Sequence, residues 1–126
     1  MTSGIDATYV VDCPTGLAGD MLLAAFLDLG VPTEVVHAPL RELGFENAYV
    51  LRLEEAQNGG LRGLRLDVEG RDQQPPHRRW GELRRIIEAA VLPPSLQDRV
   101  LSVFSALADA EAAVHGIAAD QVHFHE

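Results

Sequence analysis

The sequence predicts an α+β fold, a small sheet built from a β-hairpin and an N-terminal strand and packed against about four helices. Residues 49–55 and 61–69 each alternate apolar and polar side chains about a glycine-rich turn, which predicts the hairpin. Apolar residues recur at helical spacing in the stretches 20–29, 80–91 and 96–114, which predicts the helices.

Residues 7–12 read as a short strand, because Tyr9, Val10 and Val11 are aromatic or β-branched. A loop, 13–19, follows. Met21, Leu22, Leu23, Phe26 and Leu27 make the next stretch apolar on most sides, the pattern of a buried helix, with Gly30 as its stop. Pro32 in a first turn, with Thr33 and Glu34 behind it, opens a second helix towards Leu43. Pro39 should kink or split that helix, and Gly44 ends it. In the hairpin Tyr49, Leu51 and Leu53 share one face, while Val50, Arg52 and Glu54 share the other. Leu64, Leu66 and Val68 continue the alternation after Gln57-Asn58-Gly59-Gly60, and Gly63 marks a candidate bulge. A polar connection, 70–79, leads to Trp80, Leu83, Ile86, Ile87, Ala90 and Val91 at helical spacing, broken by Pro93-Pro94. Ser95 with Asp98 resembles a capping box. The longest amphipathic helix then runs through Leu96, Val100, Val103, Phe104, Leu107 and Val114 to Gly116, and 121–126 reads as extended.

At 126 residues the chain suits a single domain spanning 1–126, and 47% hydrophobic with 23% charged residues is a globular balance. No apolar run approaches the roughly 18 residues of a membrane span, so no membrane is expected as a partner. The first six residues have neither a basic nor an apolar signal region. Cys13 is the only cysteine, which rules out an internal disulfide, and a cytoplasmic location is expected. A formal charge of −9 argues against nucleic acid as a partner, because neutralising phosphates needs a basic surface. A nucleotide remains compatible, since backbone N–H groups and a few cations suffice to bind it.

Two stretches carry chemistry. In Asp12-Cys13-Pro14-Thr15-Gly16-Leu17-Ala18-Gly19-Asp20-Met21 a strand runs into a loop with two glycines, and a helix begins directly behind it. Helix N-termini accept phosphate, glycines allow close backbone approach, and Asp12 with Asp20 could hold a hard divalent cation beside it. The plainer reading makes Gly16 and Gly19 turn residues and Asp20 a cap. Cys13 near a helix start favours thiolate, though a small buried hydrophobe is the simpler role.

The second stretch is His123-Phe124-His125-Glu126. Positions i and i+2 of an extended backbone face the same way, so His123 and His125 could bind one ion, with Glu126 adding a carboxylate. His115 could join them if 116–121 folds back. Imidazole suits borderline metals such as nickel and zinc. The alternative is a pair of exposed terminal histidines. His77 is expected to be solvated and His37 to lie on the surface. Arg52, Arg62 and Arg65 could contact nucleotide phosphates but more simply solvate a sheet face. Arg84 and Arg85 suit the wet face of their helix, and Trp80 suits the core.

Three separated stretches together resemble the LarC nickel-insertion family. They are Asp12 to Met21, the turn Gly59-Gly60-Leu61-Arg62-Gly63, and the ending from Glu111-Ala112-Ala113-Val114-His115-Gly116 through Val122-His123-Phe124-His125-Glu126. Leu29-Gly30-Val31-Pro32 looks similar too. The resemblance implies a nickel chelatase or cyclometallase of the lyase class. It would use CTP with a divalent cation (Mn or Mg) to load nickel into pyridinium-3,5-bisthiocarboxylic acid mononucleotide, making the nickel-pincer cofactor of lactate racemase. It makes Gly16, Gly19, Asp12 and Asp20 candidates for the nucleotide phosphate and its metal. His115, His123, His125 and Glu126 become candidate nickel ligands. Family chains often carry a histidine-rich stretch after the hairpin, where this chain has only His77. They also continue past the His-Phe-His-Glu ending, so a C-terminal LarC part is an expected partner, and a homo-oligomer is compatible. The alternative function is a non-catalytic nickel-binding module or metallochaperone.

Overall fold

The computed structural model describes residues 8–124. Within them the chain forms helices α1 (Gly19–Asp28) and α2 (Glu34–Glu42), strands β1 (Tyr49–Asn58) and β2 (Leu61–Gly70), and helices α3 (Trp80–Ala89) and α4 (Pro94–His115). A 3-10 turn, Ala119–Gln121, precedes the terminal extension. Four helices with an antiparallel hairpin sheet make the fold α+β, as the sequence predicts.

The hairpin pairs without a break from Tyr49 opposite Gly70 to Asn58 opposite Leu61. Gly63 sits in step opposite Ala56, so the expected bulge is absent. Its turn explains the regular ladder: Gly59 and Gly60 have φ of 57° and 82°, the conformation that matches the twist of the flanking strands. Leu51 faces Val68 and Leu53 faces Leu66, which makes one side of the hairpin apolar. There α1 packs Leu23, Ala24 and Leu27 against Leu51 and Leu66 to form the first of two cores.

Residues 8–12 do not join this sheet, which has two strands where three were expected. Tyr9, Val10 and Val11 stay exposed. Strand propensity is a fit to a pleated, half-buried surface, and none of the described strands offers these residues one.

Helix α1 ends in a Schellman turn at Gly30, φ 98°, where Gly30 N–H donates to the Leu27 carbonyl and Val31 N–H to the Phe26 carbonyl, each at 3.1 Å. Helix α2 runs through Pro39 without splitting. The proline removes one donor, but Val35, whose carbonyl loses it, is exposed to water, and the ladder resumes with Leu43 N–H on the Pro39 carbonyl at 3.1 Å. On the outer side Arg41 pairs with Glu34 at 3.0 Å and holds its carboxyl below the ordinary value, first by hydrogen bonding and then by charge. That pairing therefore supports the fold at neutral pH and is lost as pH falls through the lowered value.

His37 is not the free surface residue the sequence suggests. Its Nδ1 lies 2.6 Å from the Tyr49 hydroxyl, and the two rings stack with centroids 5.7 Å apart. This contact ties α2 to β1. Tyr49→Phe is expected to lower stability by about 1 kcal/mol, the usual net worth of a side-chain hydrogen bond, as read by equilibrium denaturation.

The second core is built by α3, α4 and the terminal extension. Trp80, Ile87, Ala108 and Val122 are buried at its centre, with Leu83, Leu101, Phe104 and Phe124 around them. Helix α3 opens with the Glu82 carboxylate accepting the Arg79 N–H at 3.1 Å, half of a capping box. Helix α4 begins at Pro94, earlier than expected, so Ser95 lies inside its first turn rather than at the cap. Gln97 locks the corner between these helices: its Nε2 donates to the Ile87 carbonyl at 2.8 Å. No described helix is long and apolar enough to cross a membrane.

Candidate metal and nucleotide sites

The terminal extension is fixed by a short antiparallel contact with the segment that enters α3. Trp80 N–H donates to the Val122 carbonyl at 2.8 Å, and Arg79 bridges to His123. Val122 is 2% exposed. The Phe124 ring stands edge-on to Trp80 with centroids 6.1 Å apart. Alternation along an extended backbone then turns His123 to the face opposite Val122 and Phe124. His123 is half-buried, and its Nδ1 is shut off from solvent with no hydrogen-bond partner among the described residues. Leaving such a nitrogen unpaired costs roughly 1–3 kcal/mol, and a bound cation would remove that penalty.

The other candidate ligands are placed differently. His125 and Glu126 lie outside the described residues. His115, at the end of α4, is exposed and pairs with Glu111 at 3.2 Å. The imidazole beside His123 is instead His77, whose ring stands edge-on with centroids 6.4 Å apart. No group of three or more histidine, cysteine or acidic side chains gathers to hold a metal among the described residues.

In the glycine loop Gly16 N–H donates to the Cys13 carbonyl at 3.1 Å, closing a turn, and α1 starts at Gly19. Ala18 is the cap residue, and Asp20 lies in the first helical turn, where its carboxylate accepts the Met21 N–H at 2.8 Å. Asp12 lines an apolar hollow of about 240 Å³ with Val10, Leu17 and Phe26. Asp20 lines a different one of about 210 Å³ with Arg65 and Asp67. The two carboxylates are therefore not brought to one hollow. Cys13 is exposed, not the buried hydrophobe of the simpler reading.

The arginines of the hairpin are paired. Arg52 meets Glu69 at 3.0 Å and Arg65 meets Asp67 at 3.1 Å, while Arg62, on the opposite face, binds Asp28 and Glu55. Asp28, by hydrogen bond and then charge, raises the Arg62 pKa. Arg84 pairs with Asp120 at 3.0 Å, joining α3 to the 3-10 turn.

One feature has no signal in the sequence pattern. A groove of about 640 Å³ is lined by Phe45, Asn47, Arg71, Asp72, Pro75 and Arg78, among others. The Arg78 guanidinium stands 5.2 Å over the Phe45 ring. His77 lies in the same loop, between Pro76 and Arg78, which both line the groove.

The nickel insertion protein family matches residues 9–126. A relative from Synechococcus sp., provisionally named a nickel insertion protein, is 44% identical over 91% of this chain and 29% of its own length. A similarly named relative from Gloeothece citriformis is 43% identical over 92% of this chain and 31% of its own. The pyridinium-3,5-bisthiocarboxylic acid mononucleotide nickel insertion protein of Akkermansia muciniphila is 39% identical over 93% of this chain and 30% of its own. The chain thus spans about 30% of the length of the relatives it matches. No solved structure matches it.

Proposed function

Because this chain belongs to the nickel insertion protein family, the LarC family, we propose that it takes part in loading nickel into pyridinium-3,5-bisthiocarboxylic acid mononucleotide. Nickel is cargo in this reading. His123 holds it on the way in, together with His125 and Glu126, whereas His115 is paired with Glu111. The product would be the nickel-pincer cofactor of lactate racemase. The observation that carries the reading is the buried Nδ1 of His123, which has no partner among the described residues, on a terminal extension anchored by Val122 and Phe124. Neutral imidazoles suit a transfer step, because they release a borderline metal to thiocarboxylate sulfur more readily than a closed thiolate cage would.

The anionic mononucleotide fits the groove that Arg71 and Arg78 line, since guanidinium groups match phosphate and carboxylate geometry. CTP is assigned to the glycine loop. The Asp20 carboxylate takes the Met21 N–H there, and the other N–H groups of a helix's first turn suit a nucleotide phosphate. A cation shared by Asp12 and Asp20 fits poorly, as the two line separate hollows. The divalent cation is therefore taken to arrive with the nucleotide phosphates rather than in a cage made by both carboxylates.

A second reading is a nickel-binding module or metallochaperone, which the buried Nδ1 of His123 would serve as well. CTP turnover separates the two. The protein is mixed with nickel, CTP, a divalent cation and the mononucleotide, and CTP consumption and nickel in the product are followed. The insertion reading expects both, with His123→Ala abolishing nickel transfer. Nickel binding without CTP consumption would establish the carrier instead.

A further inference from the structure

We propose that His77, in the connection between β2 and α3, ligates the nickel ion together with His123. The ion would then be clasped between that connection and the terminal extension. This rests on His123 as a nickel-binding residue, as argued above.

The two rings stand where one ion can nearly reach both. A metal–imidazole bond of about 2.0–2.1 Å, plus about 1.1 Å from ring nitrogen to centroid, puts each centroid about 3.2 Å from the ion. Two imidazoles on one ion therefore have centroids from about 4.5 Å apart when cis to about 6.4 Å when trans. The observed separation is 6.4 Å, with the rings edge-on. The His77 side chain is exposed on a polar connection, so a rotamer change can close the distance further. The His123 side is fixed. The Arg79–His123 bridge and the bond from Trp80 N–H to the Val122 carbonyl hold the extension against the residues that follow His77. The buried Nδ1 of His123 has no hydrogen-bond partner among the described residues.

His77 and His123 satisfy only part of a nickel coordination sphere, and His125, Glu126 and water are left to fill the rest. Such a site is open, and an incoming thiocarboxylate can replace a water before either imidazole leaves. The step is ligand exchange at unchanged oxidation state. The placement suits it, because Pro76 and Arg78, on either side of His77, line the groove assigned to the mononucleotide.

The test is nickel titration of wild type, His77→Ala and His123→Ala by calorimetry, with proton NMR of the imidazole signals in the wild type. Both substitutions are expected to weaken binding by about tenfold or more, a loss that even groups merely orienting a ligand can cause. The His77 signals should broaden at one equivalent of paramagnetic nickel. Because the His77 side chain is exposed, thermal unfolding of His77→Ala should match wild type. Wild-type affinity in His77→Ala with sharp His77 signals, while His123→Ala binds weakly, would overturn the role of His77 and leave that of His123 standing. Wild-type affinity in both variants would overturn both.

Discussion

Trp80→Ala is expected to cost about 3–5 kcal/mol of folding stability, the range for removing a large buried aromatic side chain. The indole is 2% exposed and packs against two aromatic rings, stacked on Phe104 at 5.8 Å and edge-on to Phe124 at 6.1 Å. Phe104 and Phe124 also touch each other, with centroids 5.5 Å apart. The three rings form one unit joining α3, α4 and the terminal extension, so removing the first leaves a cavity facing the other two. Trp80→Phe should lose less, since it keeps an aromatic surface against Phe104. Denaturant titration of the two variants checks this. A loss below about 1 kcal/mol for Trp80→Ala would mean that the core collapses around the gap, contrary to the packing described. Nickel affinity should fall with stability in Trp80→Ala, because the extension presenting His123 is seated on this residue.

The parts of the fold that are legible in the sequence are those with a local period. The hairpin follows from period-2 alternation and the Gly59-Gly60 turn, and its register then pairs Leu51 with Val68 and Leu53 with Leu66. Helix α1, helix α3 and the burial of Trp80 follow from helical spacing in the same way. Features made by partners distant in sequence are not legible. Tyr9, Val10 and Val11 have the propensity for a strand but pair with neither of the described strands. The His37–Tyr49 contact and the Gln97 bond to the Ile87 carbonyl depend on where whole elements settle, which no local pattern encodes. Pro39 misleads for a different reason, since a proline whose orphaned carbonyl faces water need not break a helix.

The candidate site divides along the same line. His123 stands out in the sequence because a His-x-His pair in an extended segment has a period. His77 sits in a polar connection without one, and reads as solvated until Arg79 is seen opposite His123. Asp12 and Asp20, close in sequence around the glycine loop, line different hollows, Asp20 one shared with β2.

The second large effect concerns nickel itself. His123→Ala combined with His125→Ala is expected to remove tight nickel binding, because two of the imidazoles proposed to hold the cargo are lost and neither His77 alone nor the exposed His115–Glu111 pair can replace them. The fold should survive, as Val122 and Phe124, which anchor the extension, are untouched.

The most direct measurement is a calorimetric nickel titration of the wild-type chain beside this double variant at neutral pH. Saturable binding near one equivalent in the wild type, lost in the variant, is the predicted result. Equal binding in the two proteins, or none in either, would contradict nickel handling by the terminal histidines.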